Sequence, residues 1–431
     1  MVILGDPELP SGDTIEEEKY MKQRGTLRNF GVVFLVTSIL FFVLLSLSPA
    51  FASTEKVLWS FGGTGDGIGP GGNLIVDAAG NFYGATLGGG ANSTGTVFEL
   101  SPDGKGGWTE SVLYSFGPQG SGDGQQPDAG LVMDSSGNLY GTTFVGGTND
   151  EGTVFQLSPK AGGGWTETVI HNFGNSGDGS LPTANLVLDA NGHLYGTTGS
   201  GGTRSGGTVF QLTSGSKGWT ETVLYNFPTD FQPITGLMWR RIGVNLYGVT
   251  LNGGEGFGNV FRLWRHPTGW VERNLHSFDN VNCNGQTGGD LVEDQHLTIY
   301  GASNGGCANE TGGVWELVHH PGQPSTYQVL YSFGAEGSGD GNYPQSGVIV
   351  GSNGTLYGTT GFGGVTFLGG TVFGLTKSGS TWQETVLYKF TGGSDGGAPT
   401  GQLIQDSQGN LYGAAGRGGA HGGGVVFEVT P

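Results

Sequence analysis

Val112-Leu113-Tyr114-Ser115-Phe116, Asp123-Gly124, Leu131-Val132-Met133-Asp134, Gly137-Asn138-Leu139-Tyr140-Gly141-Thr142-Thr143, Gly146-Gly147 and Gly152-Thr153-Val154-Phe155 follow one another in a string that recurs along the chain. The Phe that ends its first motif returns as Phe61, Phe116, Phe173, Phe227, Phe278, Phe333 and Phe390. The Tyr-Gly pair returns at Tyr83, Tyr140, Tyr195, Tyr247, Tyr300, Tyr357 and Tyr412. Seven copies, 51 to 57 residues apart, fill residues 56–431. A fixed period of this length marks a propeller, a solenoid or an array.

Each copy holds four short runs of Val, Leu, Tyr, Phe and Thr, separated by Gly, Asp, Asn, Ser and Pro. This pattern predicts short strands joined by turns. In the second copy they are strand a at 131–134, b at 139–143, c at 153–157 and d at 165–173. The two-residue period places Trp165, Glu167, Val169, His171 and Phe173 on one face of strand d. No amphipathic helical stretch follows residue 52. Four antiparallel strands repeated seven times predict an all-β, seven-bladed β-propeller. An open β-array fits the same repeat, and the ends favour closure. Residues 57–61 read as a d strand without its own a, b and c, and the chain stops after a c strand at 425–429. Pairing the two closes the ring with a blade of mixed strands and limits exposed sheet edges.

The 90 glycines sit at fixed places in the repeat, as turn and bulge positions. Six of the 36 acids and four of the 17 bases fall in residues 1–52, which leaves −17 over residues 53–431. Nucleic acid requires a basic footprint, so the acidity argues against that partner and equally against anionic membrane surfaces.

Residues 30–47 are almost wholly apolar, preceded by Lys22, Arg24 and Arg28 and followed by Ala50-Phe51-Ala52. A basic stretch, an apolar core and a small-x-small site predict a secretory signal over 21–52, cut before Ser53. An uncleaved signal anchor is the alternative, and the only membrane contact expected. Both export the repeats, to the medium or the cell surface. Residues 1–20 are an acidic extension, and Met21 makes a better start than Met1 for such a signal. In an exported chain the pair Cys283 and Cys307 predicts a disulfide. Strand order supports it, because the d→a and b→c connections that carry the two cysteines emerge on one face.

Asp66, Asp123, Asp178, Asp340 and Asp395 each precede Gly in a d→a loop, and all five ring one face. One reading is a crown of carboxylates for Ca²⁺, which needs six to eight oxygens per ion. The other is turn closure by Asp-Gly, with no cofactor at all. Two G-x-S-x-G matches, at 301–305 and 392–396, fall in loops without the helix a nucleophile elbow needs. The eight histidines form no metal-binding spacing; His171 and His276 replace the Tyr of strand d, and His319-His320 are expected in solvent. The aromatics that begin strand d, Trp108, Trp165, Trp219, Trp270, Tyr327 and Trp382, are expected to pack blade edges. Symmetry breaks in the fourth and fifth copies, around residues 228–320. Trp239, Arg240 and Arg241 there are the candidate ligand-binding residues. No catalytic residue is identified.

The string Leu-Tyr-Ser-Phe, Gly-Asp-Gly, Asp-x-x-Gly-Asn-Leu-Tyr-Gly-Thr-Thr, Gly-Thr-Val-Phe-x-Leu resembles the GloVer tandem repeat, a family of bacterial exported repeat proteins of uncharacterised function. The likeness spans residues 56–431 and is weakest in the fourth and fifth copies. It implies export and often a C-terminal sorting segment. This chain ends Val429-Thr430-Pro431, so sorting through such a segment is not expected. The expectation is an exported, monomeric binding or interaction module for a polysaccharide or an extracellular protein. A carbohydrate-active lyase or glycosidase and a structural envelope protein are the alternatives. The enzyme would need a unique pair of acids in the central funnel, where the sequence offers repeated ones.

Overall fold

The computed structural model describes residues 53–431 apart from 241–244, 255, 280–282, 284–288, 321–322 and 335–338. These residues form seven four-stranded antiparallel sheets and two short ribbons, with no helix among them. The sheets are the blades of a seven-bladed β-propeller. Blade 1 runs a, Gly67–Val76; b, Phe82–Gly89; c, Thr96–Pro102; d, Trp108–Ser115. Blade 2 runs Val132–Met133, Leu139–Thr143, Thr153–Pro159 and Trp165–Asn172, and blades 3 to 6 repeat it. Blade 7 takes a, b and c from Gly397–Gln405, Leu411–Arg417 and Val425–Thr430, and d from Thr54–Ser60. The closing pair is antiparallel, with Thr54 opposite Thr430 and Ser60 opposite Val425.

The repeated residues are consumed by building this frame. In the a→b turn of blade 2, Asp134 Oδ1 accepts the amides of Ser136 and Asn138, while Oδ2 accepts Asn138 Nδ2 and the Tyr140 hydroxyl. Burial pushes this carboxyl up, but the hydrogen bonds from Asn138, Ser136 and Tyr140 outweigh it and hold it below its ordinary value. Gly141 has no side chain because the Phe155 ring lies across it: a Cβ would stand 2.6 Å from that ring. The core is seven clusters, one per seam. Tyr83 and Val97 of blade 1, for example, pack on Phe116, Leu131, Leu139 and Phe155. Stability therefore resides between blades as much as within them.

Strand d departs from the simple alternation expected of it. Val154 pairs with His171 but Phe155 pairs with Val169, so Ile170 is an extra, bulged residue. The shared face runs from Trp165 to Val169 and ends there. The same shift recurs in the c–d pair of every blade. Three of the aromatics that begin strand d lean on the Tyr of strand b in the preceding blade, Trp165 on Tyr83, Trp219 on Tyr140 and Trp382 on Tyr300, while Trp108 meets Phe82 of its own blade and Tyr327 stacks on His276.

Candidate functional site

The first residues of strand a, one set from each blade, converge on the axis. The residue before the apolar anchor of strand a is Asn73, Gly130, Asn185, Gly236, Asp290, Gly347 and Gln402 in blades 1 to 7. Odd blades send a polar side chain inward and even blades send none. The glycines are required by the closeness of the packing. A Cβ at Gly236 would lie 2.3 Å from Asp290 Oδ1, and one at Gly130 would lie 2.6 Å from the Asn73 amide nitrogen.

The layer is closed by hydrogen bonds. Asp290 Oδ2 accepts Nδ2 of Asn73 at 3.0 Å and of Asn185 at 2.5 Å, and Oδ1 accepts the Gly236 amide at 2.8 Å. Asn73 Oδ1 accepts the Gln402 amide, Asn185 Oδ1 accepts the Gly130 amide, and Gln402 Nε2 donates to the Val348 carbonyl. Asp290 is encircled by protein and keeps only an edge toward water through the channel. Burial pushes its carboxyl up, against the hydrogen bonds from Asn185, Gly236 and Asn73.

This layer divides the channel. Beyond it, toward the far end of strand a, a chamber of about 420 Å³ is lined largely by Leu, Ile, Val and Met. Before it, on the face of the d→a loops, lies a vestibule of about 220 Å³. Its wall does not follow the repeat: it includes Asp128, Thr183, Thr235, Gln345, Ser346 and Thr400. Thr235, Ser346 and Thr400 spend their hydroxyls on the protein, with Val249 N, Thr359 Oγ1 and Pro70 O. Thr183 Oγ1 is buried without a hydrogen-bond partner. Asp128 opens to the vestibule while surrounded by protein, and that burial raises its carboxyl above the ordinary range. A cavity with a few convergent, uncommitted polar groups can hold a small polar ligand.

The residues singled out from the sequence lie elsewhere. Asp123 accepts the Tyr114 hydroxyl and the Gly117 amide on Oδ2 and the Gly124 amide on Oδ1. Asp66, Asp178, Asp340 and Asp395 are likewise tied to loop amides and to the aromatic or His of strand d. These five acids stand one per seam rather than in a common cluster. Arg240 is buried between blades 4 and 5, paired with Glu293 at 2.6 Å and donating to the Tyr247 hydroxyl. Trp239 packs on Tyr195 in the seam of blades 3 and 4. Arg241 lies outside the described residues, as does the whole of 1–52 with its apolar run at 30–47. Cys283 and Cys307 are joined as a disulfide on the face of the vestibule. His320 is exposed, but His319 is partly covered; burial, then Arg262, Arg240 and Arg273, push its imidazole down to about 4.

Asp128, Thr183 and Asp290 were missed because each blade contributes one residue to the axis. For Asp290 the available signal was the alternation at the position before the strand-a anchor, visible once the seven copies are stacked; Asp128 and Thr183 stand three residues before their anchors, Leu131 and Leu186.

No curated protein matches this chain. Among solved structures, a protein of Bacteroides uniformis provisionally assigned as a 6-phosphogluconolactonase has a TM-score of 0.48 at 13% identity, over 73% of this chain and 83% of its own. A Thermus thermophilus protein provisionally assigned as an oxidoreductase (glucose dehydrogenase) has a TM-score of 0.41 at 17% identity, over 72% and 94%. A Dyadobacter fermentans protein of unknown function has a TM-score of 0.44 at 12% identity, over 88% and 98%. The profile of the Gloeobacter/Verrucomicrobia repeat matches residues 21–188, 105–315 and 319–431. With that repeat spread over nearly the whole chain and folded into seven like blades, the protein belongs to the Gloeobacter/Verrucomicrobia repeat family.

Proposed function

We propose that this is an exported binding module whose vestibule receives a small, hydroxyl-rich group, such as the terminal residue of a saccharide chain. The observation that carries the reading is Asp128, a carboxylate open to the vestibule without a committed hydrogen bond, in a wall whose hydroxyls are committed or, at Thr183, buried without a partner. A carboxylate accepts from two neighbouring hydroxyls, and a threonine hydroxyl donates or accepts in turn. The vestibule, at about 220 Å³, suits one ring rather than an extended ligand. Binding of a neutral saccharide panel, followed by calorimetry, tests this. Asp128→Asn should weaken the best ligand by about tenfold or more, the loss of one charge-assisted hydrogen bond. A saccharide bound equally by the variant, or none bound by the protein, overturns the reading.

One observation favours a second reading. Asp128 and Asp290 are non-repeated acids at the same cavity, both raised by burial, and a pair of acids in the funnel is what glycoside chemistry needs. Against it, Asp290 is spent on three hydrogen bonds that hold the channel layer. Turnover of a retained saccharide would favour the enzyme; retention without turnover favours the binding module.

A further inference from the structure

Five of the seven blade seams carry the same small constellation away from the channel. A side chain near the end of strand d meets the Asp of the following loop and a Glu from strand d of the next blade. Between blades 1 and 2 these are Tyr114, Asp123 and Glu167; between 5 and 6, Tyr331, Asp340 and Glu384; between 6 and 7, Tyr388, Asp395 and Glu55. The Tyr hydroxyl donates to the Asp at 2.7, 2.7 and 3.1 Å. A protonated phenol in that place is a hydrogen-bond donor and a poor ligand. Between blades 2 and 3 the Tyr is replaced by His171, which meets Asp178 and Glu221. Between blades 4 and 5 His276 also replaces Tyr, but Tyr327 stacks on it at 3.9 Å. A His, an Asp and a Glu come together at the seam of blades 2 and 3. Among the described residues no other three metal-ligating side chains meet as closely.

We propose that His171, Asp178 and Glu221 bind one divalent transition-metal ion of the zinc class. His171 Nε2 and Asp178 Oδ2 stand 3.2 Å apart, and one donor atom from each of the three residues lies within 4.8 Å of the others. Two ligands on one tetrahedral zinc, bonded at about 2.0–2.2 Å, stand roughly 3.3–3.5 Å apart. The first pair is already close to that spacing, and Glu221 lies near enough to be the third ligand. Asp178 is aimed for the task, because the Gly179 amide holds its Oδ1 at 2.7 Å and leaves Oδ2 toward His171. Glu221 Oε1 is buried with no hydrogen-bond partner, as are the equivalent oxygens of Glu55, Glu110, Glu167 and Glu384, but here a His and a second carboxylate stand beside it. A cation would satisfy that oxygen and offset the repulsion. The imidazole nitrogen selects a transition metal over Ca²⁺, which needs six to eight oxygens. The His171 side chain is 16% exposed, so a fourth position can be filled by water. The site is independent of the vestibule and of the function proposed for it.

The intact chain, stripped with a chelator, should be titrated with Zn²⁺ by calorimetry and with Co²⁺ by visible absorption. One equivalent is expected to bind, Co²⁺ should give the intense band of a low-coordinate N/O site, and Zn²⁺ should raise the unfolding midpoint. His171→Tyr restores the residue of the sister seams. It should fold with the wild-type midpoint in chelator and lose both the Co²⁺ band and the Zn²⁺-dependent rise. Glu221→Gln should bind at least tenfold more weakly. Absence of saturable binding by the wild type, or wild-type binding by His171→Tyr, overturns the assignment.

Discussion

Gly236 is a residue whose importance lies in what it lacks. Gly236→Ala would put a methyl 2.3 Å from Asp290 Oδ1, in a layer with no slack. We expect a loss of about 1–3 kcal/mol, the usual cost of overpacking, in urea unfolding. Gly215 lies in an ordinary backbone conformation where a Cβ would meet only the Gly218 carbonyl oxygen at 3.6 Å, and Gly215→Ala should change stability by under about 0.5 kcal/mol. Equal effects at the two positions would mean that the axial layer is not tightly packed. Residue 313 shows how much can be read by comparing copies. In blades 1, 2, 3 and 6 the b and c strands are clasped by paired threonines, such as Thr143 and Thr153 at 2.8 Å. In blade 5 the partners become Ser303 and Gly313, and a Cβ at 313 would stand 2.7 Å from Cys307 Sγ. The disulfide thus occupies the room of the missing threonine side chain. The two cysteines were legible as a pair; the vacated threonine was legible only against the other copies.

At the scale of the element, strand d carries the chemistry that sets pH behaviour. Its Glu55, Glu110, Glu167, Glu221 and Glu384 are each pushed up to about 7, first by burial and then by the Asp of the neighbouring loop. A carboxyl with a raised folded-state pKa binds its proton more tightly when folded. Its contribution is fully present below about 4.5 and is lost as the pH rises through about 7. The a→b aspartates Asp77, Asp134, Asp189 and Asp406 are shifted the other way, so their contribution is lost as the pH falls through their lowered values. The unfolding midpoint should therefore rise from pH 8 to about pH 5 and fall again in stronger acid. With these carboxyls partly exposed, each Glu is worth on the order of 1 kcal/mol. Replacing the five with Gln should flatten the pH 5–8 limb; an unchanged slope would place the linkage elsewhere. Strand d was also where the periodicity was least legible. Leu113, Ile170 and Leu224 are apolar like their neighbours, so nothing in the composition marks them as the extra residue of a bulge. The Tyr-Gly and Val-Phe registers were legible because a ring stacked over a glycine tolerates no shift.

At the scale of the molecule, the ring depends on a strand borrowed from the other end of the domain. Deleting Thr54–Ser60 would leave Val425–Thr430 as an open edge, remove Leu58 from its seam and uncover Phe61. Size-exclusion chromatography of that variant should show self-association, and its unfolding should lose cooperativity. A monomer with the wild-type transition would mean that the closure contributes little. The ring itself was legible from the incomplete copies at the two ends. The vestibule was not, because seven residues about 55 positions apart, of different chemical types, meet only once the circle is drawn.

The closing pair also sets a timetable. Thr54 must wait for Thr430, which a ribosome adds only after roughly 20–70 s at ordinary rates of synthesis. Through that interval the chain holds an unmated β-strand with Val57, Leu58 and Trp59 uncovered. A first strand that finds its partner only after the last blade is made has a long interval in which it can pair with another chain instead.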